Sequence, residues 1–477
     1  MIIAKEYDNH VLDRIKFLSE KAIYAFSSDA NLDVQECCFS LEDGNYIISF
    51  DAVDVADLKK IQDFDFHFKS YITLNNSDLN ITITPLSVSS TSIKFGREAL
   101  SCYMTIKHFS EGVTDSISDI WENSYQKAYY KVAKDKRIQH TIPIIFEKST
   151  RNEKEYLIAA NILSITIDQM PVDLYYIYDE NDKELVYFVI ETKIKIPHRT
   201  FLKMSDVILK SFALITGNYI ADIVYYVASE SPEFSNVKIS YNKIAESFYT
   251  SSTILLYNPD FTVKKKTMIS ENQYETLCNL LYNNEDLLRA SFLLNNSSRV
   301  STLAKASLVT SGLETICKHI NRRSNSPKII EDKTIEKSFK SGLLKVLSEH
   351  KEKISEKAYK IFSNKLNQIN SIPNSEKLES AFQKVGIQLS EEESYCLTCR
   401  NNFAHGDLPN NKKFTALNEE QLLMLVAARL HMLSYMLILK LCGYSGLIVD
   451  WGFTAVFRQL HYKNTGKILQ GVKFREI

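Results

Sequence analysis

Ser390-Glu391-Glu392-Glu393 opens, and Cys399-Arg400-Asn401-Asn402-Phe403-Ala404-His405-Gly406-Asp407-Leu408-Pro409 closes, a segment whose reading decides the second half of this chain. The first four residues form a capping box: the Ser390 hydroxyl can accept from the third helical N–H while Glu393 bonds back. Gly406 suits the left-handed residue that ends a helix, and Pro409 forbids a restart. A helix from Ser390 to about His405 is therefore expected, with Arg400, Asn401 and His405 near its C-terminal end. That end carries the negative pole of the helix dipole, which favours a protonated imidazole. Asn401 and His405 are four apart and share a face. Arg400 is five from His405, about 140° around the axis at about 3.6 residues per turn, so its long stem must bend to bring its head to the same side.

An Arg, an Asn and a His in this setting suit binding or cutting RNA. His405 can act as general base or acid near neutral pH. Arg400 can bind a phosphate and stabilise charge that grows on it, and Asn401 can orient either by hydrogen bonding. A single helix makes a thin site, and two copies meeting across a two-fold axis would make a denser one. The pattern Arg, Asn, then His at the end of a helix resembles the motif of the HEPN ribonuclease domains, in particular the ApeA-type HEPN proteins of bacterial anti-phage defence. The resemblance covers about residues 270–445. It implies a metal-independent endoribonuclease with an active site at a dimer interface, acting on RNA with tRNA among the candidate targets, and a phage-derived trigger. It also implies an acidic or polar residue on a preceding helix that faces the motif. Glu314 is the candidate, since a carboxylate in the apolar register of Leu313, Ile316 and Cys317 needs a partner and Arg400 is a natural one. Lys412 and Lys413 follow the motif closely enough to reach an RNA backbone.

The remaining signals are plainer. The chain has 477 residues, 45% hydrophobic and 24% charged, with a net charge of −1, so a nucleic-acid site must be a local patch. Eight Cys without a disulfide-like pattern and an N-terminus unlike a signal peptide point to a reducing cytoplasm. Cys396-Leu397-Thr398-Cys399 has redox-like spacing but sits inside a helix with no second pair, so packing thiols are expected and no metal or cofactor. Cys37-Cys38 reads as strand packing. The basic clusters Lys264-Lys265-Lys266 and Arg322-Arg323 read as solvated loops. Leu422–Cys442 is long and apolar but carries Arg429, His431 and Lys440, which argues for a buried bundle helix rather than a membrane span. No Gly-rich phosphate loop, nucleophile elbow or His-Glu-x-x-His motif occurs.

The expected architecture is α+β. Residues 1–265 should form a β-rich sensor or regulatory domain, sandwich-like or a partly closed barrel, from short runs at 36–40, 46–50, 81–84, 103–106, 142–146, 157–167, 174–178, 186–195, 220–227 and 252–256, with one helix over Phe201–Leu214 stopped by Gly217. Residues 266–477 should form an all-α, HEPN-like bundle with helices over 298–320, 334–350, 355–370, 390–405 and 418–441, the last begun by Asn418 and Gln421 as a capping box. Two other functions fit the same residues. One is a non-catalytic RNA- or nucleotide-binding module, including a HEPN partner of a nucleotidyltransferase. The other is a structural interaction protein.

Overall fold

The computed structural model describes residues 6–28, 36–52, 72–75, 80–83, 88–95, 100–106, 108–111, 122–132, 162–178, 186–220, 222–235, 237–244, 248–250, 269–322, 329–367, 369–370, 373–404, 407–409, 417–452, 456 and 474–477. The chain divides into two compact units, Met1–Leu288 and Arg289–Ile477.

The first unit begins with α1 (Glu6–Ser19), an element the sequence reading passed over although Val11, Leu12, Ile15 and Leu18 recur at helical spacing and are all buried. Twelve strands follow: β1 (Ala22–Ser28), β2 (Cys37–Glu42), β3 (Asn45–Ala52), β4 (Ile72–Asn75), β5 (Asn80–Ile83), β6 (Val88–Phe95), β7 (Leu100–Ile106), β8 (His108–Glu111), β9 (Tyr125–Val132), β10 (Leu163–Ile167), β11 (Met170–Tyr178) and β12 (Val186–Thr192). Then come α2 (His198–Thr216), β13 (Asn218–Tyr219), β14 (Ile223–Ser229), β15 (Val237–Lys243), β16 (Phe248–Tyr249) and α3 (Glu271–Tyr282). The runs expected at 142–146 and 252–256, and Lys264–Lys266, lie outside the described residues.

Fourteen strands form one antiparallel sheet in the order β10-β11-β12-β9-β14-β15-β8-β5-β4-β1-β2-β3-β7-β6. The expected β-rich antiparallel unit is present as one continuous sheet, and no ladder among the described residues joins its end strands β10 and β6 into a closed barrel. The continuity comes from β1. Its first residues, Ala22–Tyr24, pair with β2, and Ala25–Ser28 pair with β4, so one strand stitches two antiparallel sets into a continuous surface. Asp43-Gly44 is the two-residue turn that joins β2 to β3. Both residues have positive φ (48° and 71°), which matches the two-residue hairpin turn that follows the twist of its strands.

An aromatic cluster fills the core around Phe39, Tyr46, Phe109 and Tyr241, with centroids 4.6–5.6 Å apart. Beside it lies a fully buried charge cluster. Lys127 Nζ on β9 is 2.7 Å from Asp8 Oδ1 on α1 and 3.4 Å from Glu191 Oε2 on β12. The hydroxyls of Tyr129 and Tyr175 donate to Asp8 at 2.6 and 3.0 Å, and Tyr175 also donates to Glu191 at 2.7 Å. Burial, then the two carboxylates, hold the Tyr175 phenol well above its ordinary pKa, so it stays a donor. α2 ends where Gly217 takes φ 74° and its N–H bonds Ala213 O. α3 is fastened to β10 and the turn after it: Glu275 accepts from the Thr166 N–H and Asn279 from the Asp168 N–H, while Asn279 Nδ2 donates to Thr166 O.

The second unit holds most of α4 (Glu285–Asn296), then α5 (Thr302–Arg322), α6 (Lys333–Glu349), α7 (Glu356–Asn367), α8 (Asn374–Lys384), α9 (Glu391–Ala404) and α10 (Glu419–Leu441), with a small ladder of β17 (Leu447–Val449) and β18 (Phe474–Glu476). The expected helices are present. α8 and the β17–β18 ladder were not foreseen. α10 starts with the Asn418–Gln421 capping box and is the one helix among the described residues long and apolar enough to cross a membrane, yet it is buried along most of its length against α5 and α9. Its polar residues have partners or burial: Arg429 Nη1 lies 2.9 Å from Asp450 Oδ2 and Nη2 3.5 Å from Glu392 Oε2.

Candidate functional site

The site is built on α9. Its start is fixed as the sequence dictated, with Ser390 Oγ accepting from the Glu393 N–H at 3.2 Å and Glu393 Oε2 accepting from the Ser390 N–H at 2.7 Å. Glu393 is itself buried and also accepts from Arg475 Nε on β18 at 3.2 Å, while Arg475 Nη2 donates to Gln388 O at 2.6 Å. The far C-terminal strand thereby clamps the first turn of the helix. Along α9, Cys396, Leu397, Cys399, Arg400 and Phe403 are buried and Thr398 and Asn401 are exposed. The inward stripe follows the 3.6-residue repeat, and Arg400 is on it.

A guanidinium on that stripe must be compensated. Arg400 is only 2% exposed, its Nε donates to Glu314 Oε1 on α5 at 3.0 Å, and its Nη1 donates to Leu397 O at 3.1 Å. The Glu314 side chain is 52% exposed, so the pair sits at the rim, with the carboxylate facing water and the guanidinium tucked behind it. Two turns earlier on α5, Ser307 Oγ donates to Phe403 O at 3.3 Å and holds the end of α9. The expected partnership of Glu314 and Arg400 is present in the geometry. Nη2 of Arg400 makes no bond within the described residues.

The C-terminal turn is braced on both sides. The Asp407 N–H bonds Asn402 O at 2.8 Å, and Asn402 Nδ2 donates to Leu408 O at 2.9 Å. His405 and Gly406, between these anchors, lie outside the described residues, as do Lys412 and Lys413. Asn401 is exposed and has no hydrogen-bond partner among the described residues. The sequence reading passed over Asn402 and Ser307. Asn402 carried a local signal, a short amide side chain in the last turn before a Gly. Ser307 carried none, because its role depends on how two distant helices pack.

The cysteines on this face are packing groups. Burial pushes the Cys396 thiol up to about 12 and raises Cys399 as well. Cys317 is raised too, mainly by burial and despite the lowering influence of Arg400. None offers a thiolate near neutral pH. Another histidine of this unit, His431 on α10, is buried and pressed edge-on to Tyr435 at 4.8 Å. Burial, then the Lys305 charge, drives its pKa down to about 3, so it stays a neutral packing group.

No family model, curated protein or solved structure matches this chain.

Proposed function

We propose that the unit Arg289–Ile477 is a HEPN-like, metal-independent endoribonuclease of ApeA type, acting in the cytoplasm as an anti-phage defence effector, with the first unit as sensor or restraint and a phage-derived trigger. The observation that carries the reading is the Arg400–Glu314 pair at the rim of α9, one residue before an exposed Asn401 and five before His405. An arginine whose Nε is held by a carboxylate keeps a fixed fork, and its free Nη2 edge is what remains to donate to a phosphate. In this reading His405 takes the proton from a ribose 2′-OH, the oxygen attacks the adjacent phosphorus, and the 5′-oxygen of the next nucleotide leaves with a proton. The products carry a 2′,3′-cyclic phosphate and a 5′-OH. Arg400 stabilises the charge on the phosphoryl oxygens, Asn401 orients the imidazole or the phosphate, and Lys412 and Lys413 contact the strand beyond. Two copies of the site across a two-fold axis would double the donors around one RNA.

A second reading has an observation of its own. Arg400 is nearly closed to solvent and already neutralised by Glu314, which also fits a module that binds RNA or a nucleotide without cutting it, Arg400 serving as a packing anchor. Wild type and His405→Ala, each incubated with total cellular RNA in EDTA, separate the two. Cleavage by wild type alone, with cyclic-phosphate ends, is the expected result. Intact RNA with salt-sensitive binding by both proteins, in infected lysate as well as buffer, supports the binding module.

A further inference from the structure

α6 and α7 form a helical hairpin through the turn Lys351–Lys353. α6 is well begun, with Asp332 accepting from the Thr334 and Ile335 N–H groups at 2.7 and 3.2 Å. Yet no residue of α6 is buried, although its sequence is amphipathic. Ile335, Phe339 and Val346 are 57%, 48% and 53% exposed, and helical geometry places them within roughly 40° of one another around the axis. Lys333, Lys337, Lys340 and Lys345 all lie at least roughly 100° from Val346 on the same wheel. A globular protein does not ordinarily leave such a stripe in water.

The stripe runs into a groove between the two helices. The groove has a volume of about 410 Å³ and is lined by Leu343, Val346, Leu347, Ile354, Phe362 and Leu366, with His350 and Lys365 also on its wall. Phe362, 49% exposed, carries the apolar surface onto α7. Four large side chains about half open, at roughly 200 Å² each, leave on the order of 400 Å² of apolar surface, before counting the half-buried leucines of the groove. A standard stable interface takes about 800 Å² from each partner, somewhat over half of it apolar. The face therefore supplies close to what one side of a dimer needs. It is also self-complementary: Phe339 stands as a knob one turn from Leu343, and the groove beside it is large enough for an aromatic ring. A two-fold axis pairs knob with groove twice, which is the isologous arrangement.

We propose that the α6–α7 hairpin is a self-association surface, on which two copies of the chain pair hairpin to hairpin as a four-helix bundle, the Phe339 of each copy seated in the groove of the other. The inference draws on no residue of the α9 site.

The test is the solution mass of the full chain by sedimentation equilibrium, for wild type and for Phe339→Glu combined with Phe362→Glu. The expected result is a wild-type dimer, twice 54.8 kDa, and a variant whose dimer dissociation constant is weakened by roughly a hundredfold or more. The variant's melting temperature as a monomer should equal that of diluted wild type, because neither ring is part of the single chain's core. A monomeric wild type at tens of micromolar overturns the proposal, as does a variant that remains dimeric, since the interface would then lie elsewhere. Should the double variant fail to fold, Val346→Lys and Ile335→Glu, each an exposed position, give the same two-way outcome.

Discussion

Arg400 and His431 show two ways of keeping an ionisable side chain inside a helical unit. Arg400 is held by Glu314 and by a carbonyl of its own helix. Glu314→Ala removes the carboxylate and leaves a nearly closed guanidinium with one protein acceptor. We expect a loss of about 2 kcal/mol in urea unfolding, tempered by the exposure of Glu314, and a smaller loss for Glu314→Gln, whose amide oxygen can still accept from Nε. If Glu314→Ala unfolds with wild-type stability, the pair is a solvent-screened surface contact and Arg400 owes its position to packing alone. His431 takes the other route and discharges. Its ordinary pKa of 6.5 falls to about 3 through burial and the Lys305 ammonium, opposed by a hydrogen bond with the Leu294 backbone. Below pH 6.5 the unfolded chain binds a proton at this residue that the folded chain refuses. Stability therefore falls with pH by about 1.4 kcal/mol per unit until the folded form also protonates. His431→Phe keeps an apolar ring beside Tyr435 and cannot titrate. Between pH 6.5 and 5 wild type should lose about 2 kcal/mol more than this variant, and parallel losses would show that His431 is accessible to protons in the folded state.

At the scale of elements, what the sequence made legible was local chemistry. Ser390 with Glu393 and Asn418 with Gln421 each begin a helix, and Gly217 ends α2, within one or two residues of expectation, because caps act over three or four residues and do not depend on the fold. Asp43-Gly44 is readable for the same reason. The less legible features are those set by distant chain. Asp8 and Lys127 are 119 residues apart, and neither side chain signals that α1 will be drawn onto β9 by a buried ion pair. The sheet order was hidden likewise: β9 is flanked by β12 and β14, both far along the chain, while β1 divides its length between two partners. Within the candidate site, the Arg400–Glu314 pairing could be argued in advance because an acidic residue in an apolar register calls for a cation. The bracing by Asn402 and the clamp of Glu393 by Arg475 could not, since the latter joins residues 82 apart through a short C-terminal strand. The helix over 334–350 was legible too, and only the structure shows that within the described residues nothing buries its apolar side.

At the scale of the whole molecule, the change from β-rich to helical sequence near 265/266 does not coincide with the division between compact units at 288/289. α3 is helical yet belongs to the sheet unit. Tyr274, Leu277 and Leu281 are fully buried, Tyr274 donates to Ile208 O on α2 at 3.2 Å, and Glu275 and Asn279 bond backbone groups of Thr166 and Asp168. The two divisions differ because composition registers the type of an element and not the surface on which it packs. The consequence is testable by truncation. A fragment ending at residue 288 keeps α3 on β10 and α2, and should be soluble with a single cooperative melt. A fragment ending at 265 uncovers the apolar side of α2 and strips the partners from the β10 turn. Uncovering two or three large side chains at about 2 kcal/mol each approaches the whole stability of a domain, so the shorter fragment should bind a hydrophobic dye strongly and lose its cooperative transition. Equal melts for the two fragments would mean that α3 is a passenger on the first unit, and the sheet would then have to hold its fold without the helix that covers its β10 edge.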